Sequence, residues 1–408
     1  MFITSNAGDT FESLSRRAYG TEKYARNLSQ ANPGVLAPLA PGTVVTVPEI
    51  PGEPANRPTQ APAARPDEVA VLVDGVRFRF WSELRLTRSL DSMDTLEFSA
   101  PFEPDDPAFR ETFRPFSFKP LVVTVGGVPL FTGTLVGVVP SLSRGSTTVS
   151  VSGYSRPGVL EDCTPPASAF PVEFNAQDLP GIASALCQPF GIQATFDGPG
   201  GSVFERAAAD PGENVLGFLS GLAQQRGLVV SSDPDGRALF QQSVKPGSPV
   251  AVLRQGASPV LGVSPFFSPQ QYYSHITGLE SVLVGTSGSQ YTVRNPYLAG
   301  VIRPHTFKSP DTQGGTVQDS VRAKAGRMFG NMAAYGVQVS TWRDPSGALW
   351  RPNTTVVLNA PGAMVYSDYE FVVRSVRFDR TGDNESAELD LVLPGSFSGK
   401  IPEALPWD

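Results

Sequence analysis

The residues best suited to chemistry are few and scattered. Among 408 residues the only histidines are His275 and His305, and the only cysteines are Cys163 and Cys187. The histidines stand thirty positions apart, in neither an HExxH nor an HxH spacing, so a histidine-based zinc hydrolase is disfavoured. Two thiols are too few for a disulfide framework or a four-thiolate zinc site. Cys187 shares a helical spacing with Ile182, Ala183 and Leu186, which suits a buried thiol better than a nucleophile. Gly153-Tyr154-Ser155-Arg156-Pro157-Gly158 approaches a serine-hydrolase elbow. It lacks the glycine two residues after the serine, and proline there blocks the turn into a helix. Gly198-Pro199-Gly200-Gly201 lacks the lysine and hydroxyl residue of a phosphate loop. Asp105-Asp106, flanked by Pro104 and Pro107, forms a solvated turn, and Glu161-Asp162 is adjacent in sequence rather than a glycosidase pair. The expectation is a chain with no catalytic residue, no cofactor and no metal: not an enzyme.

Composition narrows the class further. Lys and Arg total 32 against 39 for Asp and Glu, a formal charge of −7. That balance argues against a surface built to coat nucleic acid. Charged residues are 17% of the chain, against about 25% in a typical soluble domain. Forty glycines and 39 prolines imply many turns, while 40% hydrophobic residues with 25 phenylalanines argue against disorder. A turn-rich β protein that shows little charge to water suggests a partly hidden surface. The first residues, Met1-Phe2-Ile3-Thr4-Ser5-Asn6, show no signal-peptide pattern. Residues 121–142 carry no charge, but Gly126-Gly127, Pro129, Gly133, Gly137 and Pro140 interrupt them. They are expected to form two strands and a tight turn rather than a membrane span.

Residues 1–48 read as a βααβ unit. Phe2-Ile3-Thr4 opens it, and Asp9 with Glu12 is spaced as a capping box. Phe11, Leu14 and Ala18 share one helical face. Tyr24 and Leu28 mark a second helix over 22–31, stopped by Asn32-Pro33-Gly34, and residues 44–47 close the unit as a strand. Gly8-Asp9-Thr10, Tyr19-Gly20, Asn32-Pro33-Gly34, Leu39, Pro41-Gly42-Thr43 and Val45-Thr46-Val47-Pro48 resemble a LysM domain. The resemblance implies a groove for N-acetylglucosamine-containing glycans at Asp9, Thr10, Asn32 and Gly34. The same residues could equally be a helix cap and a helix stop in a unit used as a protein joint. Residues 49–67 follow as a linker with Pro51, Pro54, Pro58, Pro62 and Pro66. At about 3.1 Å per residue, such a spacer reaches on the order of 50 Å.

The body is mainly β with α+β parts. Val76, Phe78 and Phe80 alternate with Arg77 and Arg79, and 147–153 alternate again, so 68–161 are expected to form a small barrel. Residues 162–250 change character to an insert of helices on a hairpin. Asp178-Leu179-Pro180 starts one helix, and Val215, Phe218, Leu219 and Leu222 stripe another. Residues 251–394 read as a second barrel interrupted by a long helix with Val317, Val321, Ala325, Met328 and Met332 on one face. Lys324 and Arg327 fall off that face, on a solvated or subunit-facing side. Residues 395–408 form a tail that either docks on a partner or folds back through Trp407.

Several stretches of the body follow one another in a characteristic order. They are Trp81 through Leu90 to Asp91, Leu130-Phe131-Thr132-Gly133-Thr134, and Val151-Ser152-Gly153-Tyr154-Ser155 with Leu160-Glu161-Asp162. They continue with Gly212-Glu213 through Leu222-Ala223 to Gly227, Asp233 to Gly236, and Trp342-Arg343-Asp344-Pro345 through Leu349-Trp350. Together they resemble the baseplate hub protein (tail protein P) family of Mu-like contractile-tailed bacteriophages. Tyr154 stands where the family has an arginine, so no role of that arginine carries over. The resemblance spans 69–394, and the N-terminal LysM-like unit is an addition to it. It implies a homotrimer whose two barrels per chain make a pseudo-sixfold ring between the sixfold tail tube and the threefold spike. DNA would pass the lumen without specific binding, and the chain would reside in the virion baseplate after assembly in the bacterial cytoplasm. The N-terminal unit would meet baseplate wedge or sheath-initiating proteins, or peptidoglycan. The alternative is a LysM-anchored peptidoglycan-binding or cell-wall-degrading tail protein.

Overall fold

A computed structural model describes residues 2–5, 8–19, 22–40, 43–48, 67–143, 146–243, 247–280, 288–309, 317–397 and 399–408. The proline-rich stretch 49–66, Gly20 and Pro41-Gly42 lie outside the described residues. The chain divides into two units, 1–69 with 125–127, and 70–124 with 128–408.

In the first unit, β1 (Phe2–Thr4) and β2 (Val44–Thr46) pair antiparallel around α1 (Phe11–Tyr19) and α2 (Ala25–Ala31). Phe11, Leu14, Ala18, Tyr24, Leu28, Leu39, Val45 and Val47 form its core. Seven of these eight are placed by helical or strand periodicity, and Leu39 enters from the loop between α2 and β2.

The body opens with β3 (Val69–Val73), β4 (Val76–Phe78), β5 (Glu83–Ser89) and β6 (Thr95–Pro101). After α3 (Pro107–Thr112) come β7 (Pro120–Val125), β8 (Val128–Ser143) and β9 (Ser146–Ser155), then the short α4 (Val159–Asp162). The uncharged run at 121–142 is therefore two strands joined at Gly126-Gly127, whose φ angles of 59° and 84° suit glycine. The next elements are β10 (Glu173–Gln177), α5 (Leu179–Cys187), β11 (Ala194–Asp197), β12 (Phe204–Ala208), α6 (Val215–Gln225), β13 (Leu228–Ser232) and β14 (Ala238–Gln242). Asp178 and Asn214 cap α5 and α6 by accepting from Gly181 and Gly217 N–H at 2.9 and 2.6 Å. The helices cover the β13–β14 hairpin, to which β11 adds a parallel third strand.

The remainder comprises β15 (Ala251–Arg254), β16 (Val260–Phe267), β17 (His275–Leu279), β18 (Gln290–Arg294), β19 (Pro304–Lys308), α7 (Val317–Met332), β20 (Ala333–Val339), β21 (Thr355–Ala360), β22 (Val365–Thr381) and β23 (Asn384–Val392). β18, β17 and β19 form a small sheet of their own. The tail folds back: Trp407 meets Phe267 edge-on at 5.4 Å, and Tyr297 and Tyr369 hydroxyls donate to Pro402 and Ala404 carbonyls at 2.6 and 2.8 Å.

The strands expected in two barrels are joined in one 13-stranded sheet, because β22 pairs with β5. That sheet repeats one plan. β5-β6-β9-β8-β7-β3 lie in that order, and β16-β20-β23-β22-β21-β15 lie in the same order. The fourth strand of each set is long, 16 residues in β8 and 17 in β22. Each pairs antiparallel with the next strand, up to last pairs Ser143↔Ser146 and Thr381↔Asn384. Each carries a register break seven positions earlier, at Val136 and at Arg374.

Candidate functional site

The four groove residues of the N-terminal unit hold different places. α1 begins at Phe11, so the cap is Thr10 with Ser13 rather than Asp9 with Glu12. Thr10 Oγ1 accepts from Ser13 N–H at 3.4 Å, and Ser13 Oγ accepts from Thr10 N–H at 3.0 Å, a reciprocal box one residue later than the sequence spacing predicts. Its frame follows from the apolar face, which must turn Phe11, Leu14 and Ala18 inward. Asp9 Oδ1 accepts from the Ser13 hydroxyl at 2.9 Å, and a hydrogen bond to Thr10 holds the exposed Glu12 carboxyl below its ordinary pKa. Asn32 is buried, and both ends of its amide are engaged. Its Oδ1 accepts from Thr46 N–H at 2.6 Å, and its Nδ2 donates to Leu28 O at 2.8 Å and Thr46 O at 2.7 Å. Gly34 turns the chain at φ 95° with open space beside it. Leu39 N–H donates to Asp9 O at 2.8 Å, so the loop before α1 and the loop after α2 are tied together. Asp9 and Thr10 thus sit beside the second loop, while Asn32 points into β2.

The nucleophile and ligand types do not converge in the body. His305 stacks on Tyr273 at 4.5 Å, and its pKa is lowered by burial and then by Lys324. The facing residue on β17 is Ile276, not His275, whose Nδ1 lies 3.0 Å from Ser274 Oγ. Burial pushes the Cys187 thiol up to about 12, which leaves it unreactive at neutral pH. Asp106 Oδ1 caps α3 through Ala108 N–H at 2.8 Å. Among the described residues no three His, Cys, Asp or Glu side chains gather as a metal site.

Two polar seams went unseen in the sequence because their members lie far apart along the chain. At the first, Asp94 is fully enclosed and pairs with Arg88 at 3.2 Å. Burial raises its pKa to about 6, against the opposing pull of Arg88 and hydrogen bonds from Ser89 and Ser232. Ser232 lies on β13, so this seam fastens the insert to the turn between β5 and β6. At the second, Arg374 grips Asp91 with two bonds of 3.2 and 3.1 Å. Burial raises the Asp390 pKa and lowers that of Arg327. A cleft of about 240 Å³ opens there between Asp91, Gln224, Arg327, Asn331, Arg374 and Ser396. Each seam joins elements of different parts of the body, which is a positioning role.

Several large apolar side chains of the body face outward. Phe80, Phe116, Phe118, Val139, Leu142, Leu261, Phe266 and Ile302 are exposed. β16 and β4 end the sheet, and the hairpin half of β8 stands out from it with residues 139–143 open.

Comparisons with known proteins agree with this picture. The domain family described as "Baseplate hub protein gp44-like, second domain" matches residues 157–242, which contain β10 to β14 with α5 and α6. The baseplate hub protein gp44 of Escherichia phage Mu is 22% identical over 312 residues, covering 72% of this chain and 79% of the relative. The crystal structure of the 43 kDa tail protein of prophage MuSo2 from Shewanella oneidensis superposes with a TM-score of 0.69 at 25% identity, over 81% of this chain and 99% of that one. The tail protein of Neisseria meningitidis MC58 gives 0.68 at 20% identity, over 81% and 98%. The chain is similar, over most of its length, to phage baseplate hub and tail proteins.

Proposed function

We propose that this chain is a structural baseplate hub of a contractile phage tail, acting as a homotrimeric ring. The observation that carries the reading is the repeated strand order. Two similar sheet modules per chain would give three copies six similar modules, which suits a joint between a sixfold tail tube and a threefold spike. The similarity to phage hub and tail proteins supports a place in the virion. In this reading residues 68–161 and 251–394 supply the ring, 162–250 are the insert and 395–408 brace the second module. The net charge of −7 suits a lumen through which DNA passes without being held, since phosphate contacts come from Lys and Arg. No step of chemistry is assigned to any residue.

Residues 1–48 act in this proposal as a protein joint to surrounding baseplate parts, on the spacer 49–67. Asn32 supports that choice over a glycan groove, because its amide is engaged by Leu28 and Thr46. Light scattering on the purified full chain tests the hub reading. A mass near three copies, alone or with the tube or spike protein, is expected; a monomer at every concentration and with both partners overturns it.

A further inference from the structure

We propose that a second copy of this chain lays its β16 against the open flank of β8, in the register that β5 keeps on β22. The proposal rests on the hub reading and adds to it the surfaces that meet.

The two modules repeat one construction. Along its first half β22 pairs with β21, from Val365 to Val372, and along its second half, from Ser375 to Thr381, the same flank carries β5. β8 has the same construction. Its first half lies beside β7, up to the bond from Leu135 N–H to Lys119 O just before that strand. Its second half, 137–142, pairs with β9 on one side only among the described residues. Aligning the register breaks and hairpin ends puts Gly137 to Ser143 where Ser375 to Thr381 stand in β22. Following the pairs through β9 and β6 on one side, and β23 and β20 on the other, puts Gly262 to Ser268 where Glu83 to Ser89 stand. The strand seated on β22 thus has its counterpart in β16, which lies at the far end of the same sheet with one flank open. Six strands of the same sheet separate β16 from β8 within one chain, so a second copy is the occupant.

Chemistry on the two surfaces agrees. Residues 137–143 and 262–268 contain no charged side chain. In the transferred register Val138 meets Phe267 and Leu142 meets Val263, where Val376 meets Arg88 and Leu84 meets Arg380 in the β22–β5 joint, with Val376 and Leu84 buried. In the single chain Leu142 is 84% exposed and Phe267 41%. Pairing them removes apolar surface that is otherwise left to water.

One pair differs in kind. Phe102 N–H donates to Thr147 O and Ser155 N–H to Asp94 O, which turns the odd residues of β9 toward β6. By strand alternation Val139, Ser141 and Ser143 bond toward β9, and Pro140 faces the open flank. Ser268 N–H donates to Met332 O, so Ser264 and Phe266 bond toward β20 and Pro265 faces outward likewise. The two prolines come opposite each other, where Phe378 faces Leu86 inside the chain. Neither has an N–H to give, so the ladder is interrupted there and apolar rings hold the centre of the contact. The same prolines keep unrelated strands from adding to these edges.

A cysteine cross-link tests the register. Ser141 and Ser264 fall opposite each other, as Asp379 and Arg85 do, with the close spacing of a pair that exchanges no backbone bonds. Full chain carrying Ser141→Cys, Ser264→Cys and Cys163→Ser is oxidised and run without reductant, beside a control with Ser268→Cys in place of Ser264→Cys. The expected result is at least ten times more reductant-sensitive covalent multimer than in the control. An oligomer by light scattering whose cross-linking does not exceed the control overturns this contact and leaves the hub reading standing. A chain that stays monomeric, alone and with its tube and spike partners, overturns both.

Discussion

The second halves of β22 and β8 occupy equivalent places in two copies of one plan, yet their chemistry differs throughout. β22 and the β5 seated on it bring Arg377, Asp379, Arg380, Glu83, Arg85 and Arg88 to the joint. Arg85 and Asp379 pair at 3.0 Å, and Arg377 pairs with both Asp379 and Glu388. On β8 and β16 every equivalent charge is replaced by Val, Leu, Ser, Gly or Phe. A joint formed within the chain can keep ion pairs at its rim, because connectivity already holds the strands together. A joint between copies must overcome the cost of bringing them together, and apolar burial is the term that supplies this without desolvating charge. The absence of charge on these two strands is a small part of the low charged fraction of 17%.

The largest effect expected is at the occupied joint. Phe378 is fully buried between the modules and edge-on to Trp342 at 5.3 Å, so Phe378→Ala should cost about 3–5 kcal/mol. Urea unfolding would show it; a loss below about 1 kcal/mol would mean that the joint is not packed as described. Next is Asp94, at the foot of the same joint. Its pKa is raised to about 6 in the fold, above the unfolded value of about 3.9, so the folded state holds the proton more tightly. The contribution is greatest below about pH 4 and is lost as pH rises through about 6. Asp94→Asn should therefore gain on the wild type by roughly 2 kcal/mol between pH 4 and pH 7 in paired melts. A difference independent of pH would contradict the assignment.

Smaller effects separate the open joint from the occupied one. Leu142→Asp should leave the melting temperature of the dissociated chain unchanged, because the side chain is exposed in the single chain. It should weaken subunit association about tenfold, or about 1.4 kcal/mol, by sedimentation. Loss of stability with intact association would reverse the comparison. Arg85→Ala should cost no more than about 1 kcal/mol, since its ion pairs lie near the surface, and less at high salt.

Periodicity made much of this fold legible. The apolar faces of α1, α6 and α7, the two strands at 121–142 and the buried Cys187 follow from local pattern alone. The capping frame of α1 slipped by one residue because Asp9 and Thr10 are both acceptable caps and only the buried Phe11 decides between them. The sheet joining the two modules could not be read, because β5 and β22 are separated by nearly the whole body. The same distance hid the Asp91–Arg374 and Arg88–Asp94–Ser232 seams. Of the groove residues, Asn32 was visible as a helix stop, but its bonds to Thr46 depend on a strand fourteen residues later. Trp407 left both outcomes open in sequence, and packing against Phe267 gives it a place on the second module.

Averaged electron images of the purified oligomer would show whether the chain forms the proposed ring. The account predicts a closed threefold ring with six similar densities around a lumen, each chain contributing two. An open filament, a ring of another symmetry or single chains only would contradict it.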